Sequence, residues 1–169
     1  MIKQEMQEAL NEQIMKEMYS SNIYLSMATY FHVKNLNGMA NWMRIQAREE
    51  MDHAMKIYDY IIDRGGHAKI LKIDQPRADW NSPLEIFKAA LEHEEYVTDS
   101  INKLVDLAQK ISDHATNNML QWFVDEQVEE EATTGEIVDR LELVGEDKGG
   151  LFMVDNELKA RKYVAPQGE

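Results

Sequence analysis

The stretch REEMDHAMKIYDYIID, residues 48 to 63, carries the pattern on which the interpretation of the chain depends. Its apolar residues recur three and four positions apart, which is the period of one face of an α-helix. They are Met51, Ala54, Ile57, Tyr58 and Ile61. Glu50 and His53 lie one turn apart beside this face, where a core helix normally carries an aliphatic side chain. A carboxylate and an imidazole in such positions need a chemical explanation.

Turn and cap signals divide the rest of the chain into helices. In chain order they are Asn37-Gly38, Gly65-Gly66, Ser82-Pro83-Leu84-Glu85, Ser112-Asp113, and Gly145 followed by Gly149-Gly150. The third signal has the form of a capping box, with serine as the cap, proline in the first helical position and glutamate closing the box. Together the signals predict helices at residues 4–35, 39–64, 83–111, 114–144 and about 152–162.

The order of these segments predicts an all-α fold. Short turns join helices one and two into a first hairpin and helices three and four into a second. Residues 66–81 are too many for a local turn, but a stretch of that length can run along a whole bundle. We therefore expect a four-helix bundle with one long crossover, plus a short fifth C-terminal helix. A single domain over residues 1–169 would then contain the bundle at 4–144 and a frayed tail at 166–169.

Composition narrows the possible functions. The 169 residues include no cysteine, which excludes disulfides, thiolate zinc sites and thiol chemistry. Hydrophobic residues make up 44% and charged residues 29%, as is typical of a helix-rich soluble chain. The net charge of −13 disfavours nucleic acid and anionic membranes as partners and attracts cations. With no signal peptide or membrane span in the sequence, we expect a cytoplasmic protein.

Polar residues interrupt the apolar stripe of every long helix. They are Glu17, Glu50 and His53 in the first hairpin, and Glu94, Gln127 and Glu130 in the second. Each residue of the second set follows its counterpart in the first set by 77 positions. This constant offset predicts two hairpins related by a pseudo-twofold axis, with all six side chains meeting in the middle of the bundle.

Burial of four carboxylates together is unfavourable, because each ion loses hydration and like charges repel. No Lys or Arg lies on the four stripes to neutralise them. Bridging cations remove the repulsion, and an oxygen-rich set with one imidazole fits iron or manganese better than zinc thiolate sites or blue copper. A lone Glu-x-x-His is a weak signal, but the full set of six residues, duplicated at one offset on four helices, predicts two bound metal ions, with Glu50 as the bridge.

The chain resembles the non-haem ferritins of bacteria and archaea, a ferritin-like di-iron family, over nearly its whole length. The likeness is carried by Asn11-Glu-Gln, Glu17-Met-Tyr-Ser-Ser21, Tyr24-Leu-Ser-Met27, Glu49-Glu-Met-Asp-His53 and Leu120-Gln-Trp-Phe-Val-Asp-Glu-Gln-Val-Glu-Glu-Glu131. The resemblance implies an iron-storage protein and ferroxidase that assembles as a 24-subunit homo-oligomeric cage. Such a protein oxidises Fe(II) with O2 or H2O2 at a dinuclear centre and stores Fe(III) mineral in the cavity.

The resemblance also implies how the residues divide among iron positions. Glu17, Glu50 and His53 correspond to the first position, with Glu50 bridging. Glu94 and Glu130 correspond to the second, with Gln127 as a weaker neighbour. The family's third iron site corresponds to Glu49, Glu126 and Glu129 together with Glu130. From the residues alone, Glu49, Glu126 and Glu129 are equally consistent with a solvated acidic face, although Glu49 and Glu126 also differ by 77 positions.

Two aromatic residues are candidates for electron transfer. Tyr24 follows Glu17 by seven residues, so it lies two turns further along the same stripe. It is an ordinary core tyrosine on the pattern alone, but the resemblance implies an electron donor beside the iron pair. Trp122 is a second candidate for that role.

Four alternatives remain at this level. In bacterioferritins, which carry haem, the second motif ends in histidine, and a methionine at the position of Met51 ligates haem. Here the second motif is Gln127-x-x-Glu130, which departs from that pattern. We therefore do not expect haem. Rubrerythrin-like di-iron peroxidases normally use a cysteine-ligated iron domain, and this chain has no cysteine. The smaller DNA-protecting cages place iron between subunits and lack the fifth helix. A purely structural bundle would bind no metal.

Overall fold

The computed structural model of the protein describes residues 1–165; the predicted frayed tail lies outside the described residues. The described part of the chain is helical without strands, which confirms the all-α prediction. Its five helices are α1 (Gln4–Val33), α2 (Asn37–Asp63), α3 (Pro83–Lys110), α4 (His114–Val144) and α5 (Lys148–Leu158). None of these helices is both long and apolar enough to span a membrane.

Side-chain caps start the helices of the second hairpin. The hydroxyl of Ser82 accepts a hydrogen bond from the backbone N–H of Glu85, and Pro83 occupies the first turn of α3, as predicted. The Glu85 carboxylate accepts from the N–H of Asn81, one residue before the cap, at 2.8 Å. At the start of α4, Asp113 accepts from the N–H of Thr116. These caps satisfy donors that the first turn of a helix leaves free.

Two boundary predictions were wrong. The turn before α2 lies two residues earlier than predicted, at Asn35 with a φ of 60°, and Asn37-Gly38 belongs to α2. Gly38 is needed for another reason: a Cβ there would lie 1.6 Å from the carbonyl oxygen of Asp155, because α5 crosses α2 closely at this point. The fifth helix also begins at Lys148 rather than near residue 152.

The early start of α5 has a local cause. The carboxylate of Asp147 accepts hydrogen bonds from the backbone N–H groups of Gly149 (3.2 Å) and Gly150 (2.8 Å). The two glycines therefore lie in a capped first turn instead of ending the preceding helix. The preceding α4 ends at Val144, and Gly145 follows with a φ of 57°.

The connection between α2 and α3 runs along α1. At one end Asn11 Nδ2 donates to the carbonyl of His67 (3.2 Å), and at the other Tyr30 Oη donates to the carbonyl of Asn81 (3.2 Å). About 28 Å of helix separates residues 11 and 30 at 1.5 Å per residue. The connection is therefore the long crossover that the sequence predicts.

The core consists of two apolar clusters with a polar layer between them. One cluster lies toward the α1–α2 turn and includes Met27, Phe31, Met43 and Phe87 among others. The other lies toward the opposite end and includes Leu10, Ile14, Ile57 and Leu120 among others. Along each long helix, the predicted polar stripe residues fall between the two clusters. Apolar residues on the same faces of the four long helices, such as Leu10, Ile57, Phe87 and Leu141, are buried.

Candidate metal centre

Six polar side chains from four helices are buried in the middle of the bundle. Their exposed fractions are only 1% to 7%, for Glu17, Glu50, His53, Glu94, Gln127 and Glu130. Regular helical geometry puts them there, because they lie on the same faces of their helices as the buried apolar residues. We call these six residues the dinuclear centre, because they are proposed to bind two metal ions.

The first hairpin contributes a compact group of three donor side chains. Glu17, Glu50 and His53 each offer one donor atom, and these three atoms lie within 4.8 Å of one another. His53 Nδ1 is 3.7 Å from Glu50 Oε2. Glu17 Oε2 is buried and has no hydrogen-bond partner among residues 1–165. A buried carboxylate oxygen without a donor is costly unless a cation takes that place, so the donor set fits a metal ion.

The second hairpin is arranged differently. Glu94 Oε1 accepts a hydrogen bond from the hydroxyl of Tyr24. Gln127 Nε2 lies 3.3 Å from Glu94 Oε2 and 3.2 Å from the Glu94 carbonyl, so this amide donates toward Glu94. Glu94 belongs to no group of three close donor atoms within the described part of the chain. Its two carboxylate oxygens are instead held by other side chains.

Two glutamines that the sequence analysis left without a role support these carboxylates. Gln13 Nε2 donates to Glu17 Oε1 at 2.7 Å. Gln46 Nε2 lies 3.2 Å from Glu50 Oε1 and 2.7 Å from Glu130 Oε2, so it links α2 to α4. Each glutamine precedes a buried glutamate by four residues, a spacing that brings helical side chains together. A search of the sequence for a glutamine four residues before a buried glutamate would have identified both Gln13 and Gln46.

Burial and mutual repulsion raise the pKa values of the central carboxyls. The pKa of Glu17 rises to about 8, mainly through burial and then through the charge of Glu50. Burial, with the charge of Glu94, raises the pKa of Glu130 to about 7. The pKa of Glu50 lies well above its ordinary value and that of Glu94 is also raised, in both cases chiefly by burial. Such a cluster holds either protons or cations near neutral pH.

The residues predicted for a third iron site lie on the outer side of the centre; we call Glu49, Glu126 and Glu129 the outer acidic site. They line a cavity of about 370 Å³ together with His53 and Glu130. Donor atoms of His53, Glu126 and Glu130 lie within 4.8 Å of one another. Glu126 is thus drawn toward the centre, whereas Glu129 is exposed. Partial burial raises the pKa values of Glu49 and Glu126.

The two aromatic candidates occupy different environments. Tyr24 is fully buried, donates to Glu94, and has its pKa raised far above 10 by burial and by the charge of Glu94. Trp122 is partly exposed and lines the cavity. Its ring centroid lies 5.4 Å from that of His53, edge to face. Met51, the position relevant to haem in the bacterioferritins, is 38% exposed.

Sequence reasoning missed two further residues beside the centre. Arg161, which follows α5, donates through Nη1 to Gln46 Oε1 at 2.9 Å and through Nη2 to Glu49. His93 Nε2 lies 2.8 Å from Ser20 Oγ, and its ring packs against Tyr24 with centroids 6.3 Å apart. Burial lowers the pKa of His93 to about 4, so this histidine is neutral. His93 was indicated only weakly, by its position next to Glu94 in the sequence. Nothing in the sequence indicated Arg161, because it is more than 110 positions from Gln46 and Glu49.

Comparisons with known proteins agree with this arrangement. Residues 7–144 match the ferritin family, described as a ferritin-like domain. A bacterial non-haem ferritin of Bacteroides fragilis is 48% identical over 161 residues, which cover 95% of this chain and all of that protein. A bacterial non-haem ferritin of Campylobacter jejuni is 40% identical over 94% of this chain and 95% of its own length.

Solved structures show the same fold. An open-pore ferritin from the hyperthermophilic archaeon Archaeoglobus fulgidus superimposes with a TM-score of 0.94 at 49% identity. The match covers 96% of this chain and 100% of the archaeal one. The family resemblance stated from the sequence motifs is therefore confirmed. With four helices that carry the buried acidic layer and matches that extend over almost its full length, this chain belongs to the ferritin family and, within it, to the non-haem ferritins.

Proposed function

We propose that this protein stores iron: it oxidises Fe(II) at the dinuclear centre and keeps the Fe(III) product as mineral inside a cage. The observation that carries the proposal is the convergence of four buried carboxylates and one imidazole at mid-bundle, with Glu17 Oε2 unpaired among residues 1–165. The family membership and the names of the relatives, which are non-haem ferritins, support iron as the metal.

The proposed roles are those that the family resemblance implies. Glu17 and His53 hold the first iron, Glu94 and Glu130 hold the second, and Glu50 bridges the two. Gln127 acts as a weaker neighbour of the second iron. Protons that the carboxyls carry without metal, as the raised pKa values of Glu17 and Glu130 require, leave as the cations bind.

The reaction needs two electrons and an acceptor. Each of two Fe(II) ions gives up one electron, and an oxidant such as O2 takes both together with two protons to form H2O2. The carboxylates stabilise the higher charge of Fe(III), since each carries a formal negative charge close to the metal. Tyr24 is the proposed additional electron donor: one electron from Tyr24 and one from a third Fe(II) at the outer acidic site, with two protons, would reduce H2O2 to two molecules of water. The hydroxyl proton of Tyr24 has an acceptor in Glu94. Trp122 is the second candidate for this role.

The outer acidic site is proposed to pass iron to or from the centre. Its three carboxylates line the same cavity as His53 and Glu130, which provides a continuous acidic route. The close grouping of His53, Glu126 and Glu130 supports this idea, because His53 and Glu130 are shared with the centre. Glu129 is exposed and would meet the ion first.

We propose that the chain assembles as a 24-subunit cage of identical chains. Several large apolar side chains are exposed on the isolated subunit, including Phe152 and Met153 on α5, each at 65%, and Leu143 at 90%. An assembly would cover such surfaces. Light scattering combined with an iron count per subunit tests the proposal: a mass far below 24 subunits would contradict it.

The proposed activity is tested by adding Fe(II) to metal-free protein in air and following the Fe(III) absorbance. We expect a fast rise that buffer alone lacks and that a Glu17→Ala variant loses. Repeating the experiment without O2 and with H2O2 identifies the preferred oxidant. A structural bundle predicts no metal-dependent change in melting temperature, so an unchanged melting curve with Fe(II) under argon would contradict the proposal.

A further inference from the structure

The chain after α5 returns to the mouth of the cavity; we call residues 159–165 the C-terminal segment. Three contacts place it on α2. Asn41 Nδ2 donates to the carbonyl of Arg161 at 3.1 Å, Tyr163 Oη donates to Asp52 at 2.5 Å, and the Arg48 guanidinium lies 3.6 Å from the centroid of the Tyr163 ring. The end of this segment, at Val164 and Ala165, lines the same cavity as the outer acidic site. The segment is thus part of the wall beside the iron route.

Arg161 is the residue of this segment that reaches inward. Its Nη2 donates to Glu49 of the outer acidic site, and its Nη1 donates to Gln46 Oε1 at 2.9 Å. Arg161 and Glu49 each expose 22% of their side chains, so water and ions reach the pair. An arginine stays charged at any physiological pH, and its planar fork holds two acceptors at once. One guanidinium therefore connects an outer carboxylate to a fully buried amide.

Gln46 carries this connection into the centre. Its oxygen faces Arg161, and its nitrogen faces Glu50 and Glu130 at 3.2 Å and 2.7 Å. Because Arg161 binds the oxygen of the Gln46 amide, the nitrogen of that amide is the atom that faces the two carboxylates. If the amide turned over, its oxygen would face two carboxylates and repel them. Arg161 thus fixes Gln46 in the orientation that supports the bridging carboxylate.

We propose that Arg161 is a positioning residue that couples the outer acidic site to the dinuclear centre. A metal cation at Glu49 competes with the guanidinium for the same carboxylate. When the cation displaces Arg161, Gln46 loses its partner and its hold on Glu50 and Glu130 weakens. The centre is then free to exchange an ion with the outer acidic site. The proposal rests on the proposed function, since it assumes that both sites bind the same metal.

The simplest competing explanation is that Arg161 only anchors the C-terminal segment. Two variants distinguish the explanations. Tyr163→Phe removes another anchor of the same segment, the hydrogen bond to Asp52, without touching Gln46 or Glu49. Arg161→Lys keeps the positive charge near Glu49, but its single ammonium cannot reproduce the planar fork that contacts Gln46 and Glu49 at the same time. Arg161→Gln removes both the positive charge and the planar fork of the guanidinium.

The test is an anaerobic Co(II) titration of the intact assembled protein, followed by calorimetry and by the visible spectrum of the bound ion. Co(II) binds where Fe(II) would and undergoes no oxidation under these conditions. For Arg161→Gln we expect the outer step to tighten by about two- to fivefold, the range of an ion pair that solvent reaches. We also expect the spectrum of Co(II) at the centre to change, because Glu50 and Glu130 lose their fixed donor.

The other variants complete the test. Arg161→Lys should leave the outer affinity near that of the wild type and still change the spectrum, whereas Tyr163→Phe should match the wild type in both. An Arg161→Gln variant that equals the wild type in both readouts overturns the coupling, as does a Tyr163→Phe variant that reproduces the effect. If wild-type protein bound no Co(II) at all, the proposed function itself would fail, which is a distinguishable result.

Discussion

The two helical hairpins carry matching positions 77 residues apart, yet they present those positions differently. In the α1–α2 hairpin, donor atoms of Glu17, Glu50 and His53 gather within 4.8 Å. In the α3–α4 hairpin, the counterpart of Glu50 is Gln127, an amide that donates toward Glu94. The offset places side chains at equal depth, but the chemistry of each side chain decides how strongly a cation is held there.

The hydrogen bonds explain what the difference means for iron. Glu17 has one oxygen free of any partner within the described residues, so a cation meets no competitor there. Glu94 has Tyr24 on one oxygen and Gln127 on the other. A cation at Glu94 must displace or rearrange these donors, which costs binding free energy. The first position should therefore bind iron tightly, and the second should bind it more weakly and release it.

The largest expected effect separates the counterparts Glu50 and Gln127. Glu50→Ala should reduce Fe(II) oxidation to the rate of protein-free buffer, because it removes the bridge that both metal positions share. Gln127→Ala should slow oxidation by only about tenfold, as is usual for a supporting partner of a ligand. Stopped-flow absorbance of Fe(III) measures both. If the two variants lost the same fraction of the oxidation rate, the two hairpins would contribute equally to the reaction, which would contradict the account.

Next in size is the pH dependence of the metal-free protein. The folded-state pKa values of Glu17, about 8, and Glu130, about 7, lie above the ordinary value of 4.5. At pH values between 4.5 and these raised pKa values, the folded state binds more protons than the unfolded state. The free energy of unfolding is therefore greatest at the low-pH end of this window and falls as pH rises. Each such carboxyl contributes a slope of up to about 1.4 kcal/mol per pH unit.

Thermal melting of metal-free protein from pH 5 to pH 8 measures this effect. Glu17→Gln should flatten the decline up to about pH 8, and Glu130→Gln only up to about pH 7. Addition of Co(II) should remove much of the decline in the wild type, since a cation takes the place of the protons. A melting temperature that rises between pH 5 and pH 8 without metal would contradict the account.

A smaller effect is expected when the second hairpin is made more like the first. Gln127→Glu replaces a donor 3.3 Å from Glu94 Oε2 by a carboxylate. The second Co(II) should then bind about tenfold more tightly, the lower end of the changes reported for groups beside metal ligands. The metal-free variant should melt at a lower temperature, because like charges now face each other. Gln127→Met, which adds no charge, is the control; an unchanged second affinity for Gln127→Glu would refute the explanation.

The smallest expected effect concerns the aromatic residues, neither of which has an aromatic counterpart 77 positions away. Those counterparts are Ile101 for Tyr24 and Ile45 for Trp122. Tyr24→Phe should slow oxidation only a few-fold but abolish any tyrosyl radical signal after Fe(II) is mixed with O2. Trp122→Phe should keep that signal. Electron paramagnetic resonance on rapidly frozen samples decides this, and a signal that survives in Tyr24→Phe would exclude Tyr24 as the donor.

Much of the architecture followed from periodicity. Residues spaced by three and four mark buried faces without knowledge of tertiary contacts, so the four stripes and their polar positions were predictable. The start of α5 was not, because glycines normally end helices and only the carboxylate of Asp147 makes Gly149 and Gly150 a capped first turn. The turn at Asn35 was displaced for a related reason: Gly38 is required by the approach of α5 rather than by a turn.

The limits at the site have a similar physical origin. Helical spacing indicates which residues share a face, so it revealed Glu17, Glu50 and His53. It does not indicate which distant segment returns to that face, and Arg161 therefore had no signal. It also does not indicate which hydrogen bonds form, so the contrast between the unpaired Glu17 oxygen and the doubly bound Glu94 emerged only from the structure.

Crystals soaked in Fe(II) without oxygen, with data collected at the iron absorption edge, test the central claim most directly. At one iron per subunit the account predicts an anomalous peak between Glu17, Glu50 and His53. At higher iron a second peak should appear beside Glu94 and Glu130, with Glu50 contacting both ions. Anomalous maps without iron between the helices, or with iron only on the outer surface, would contradict it.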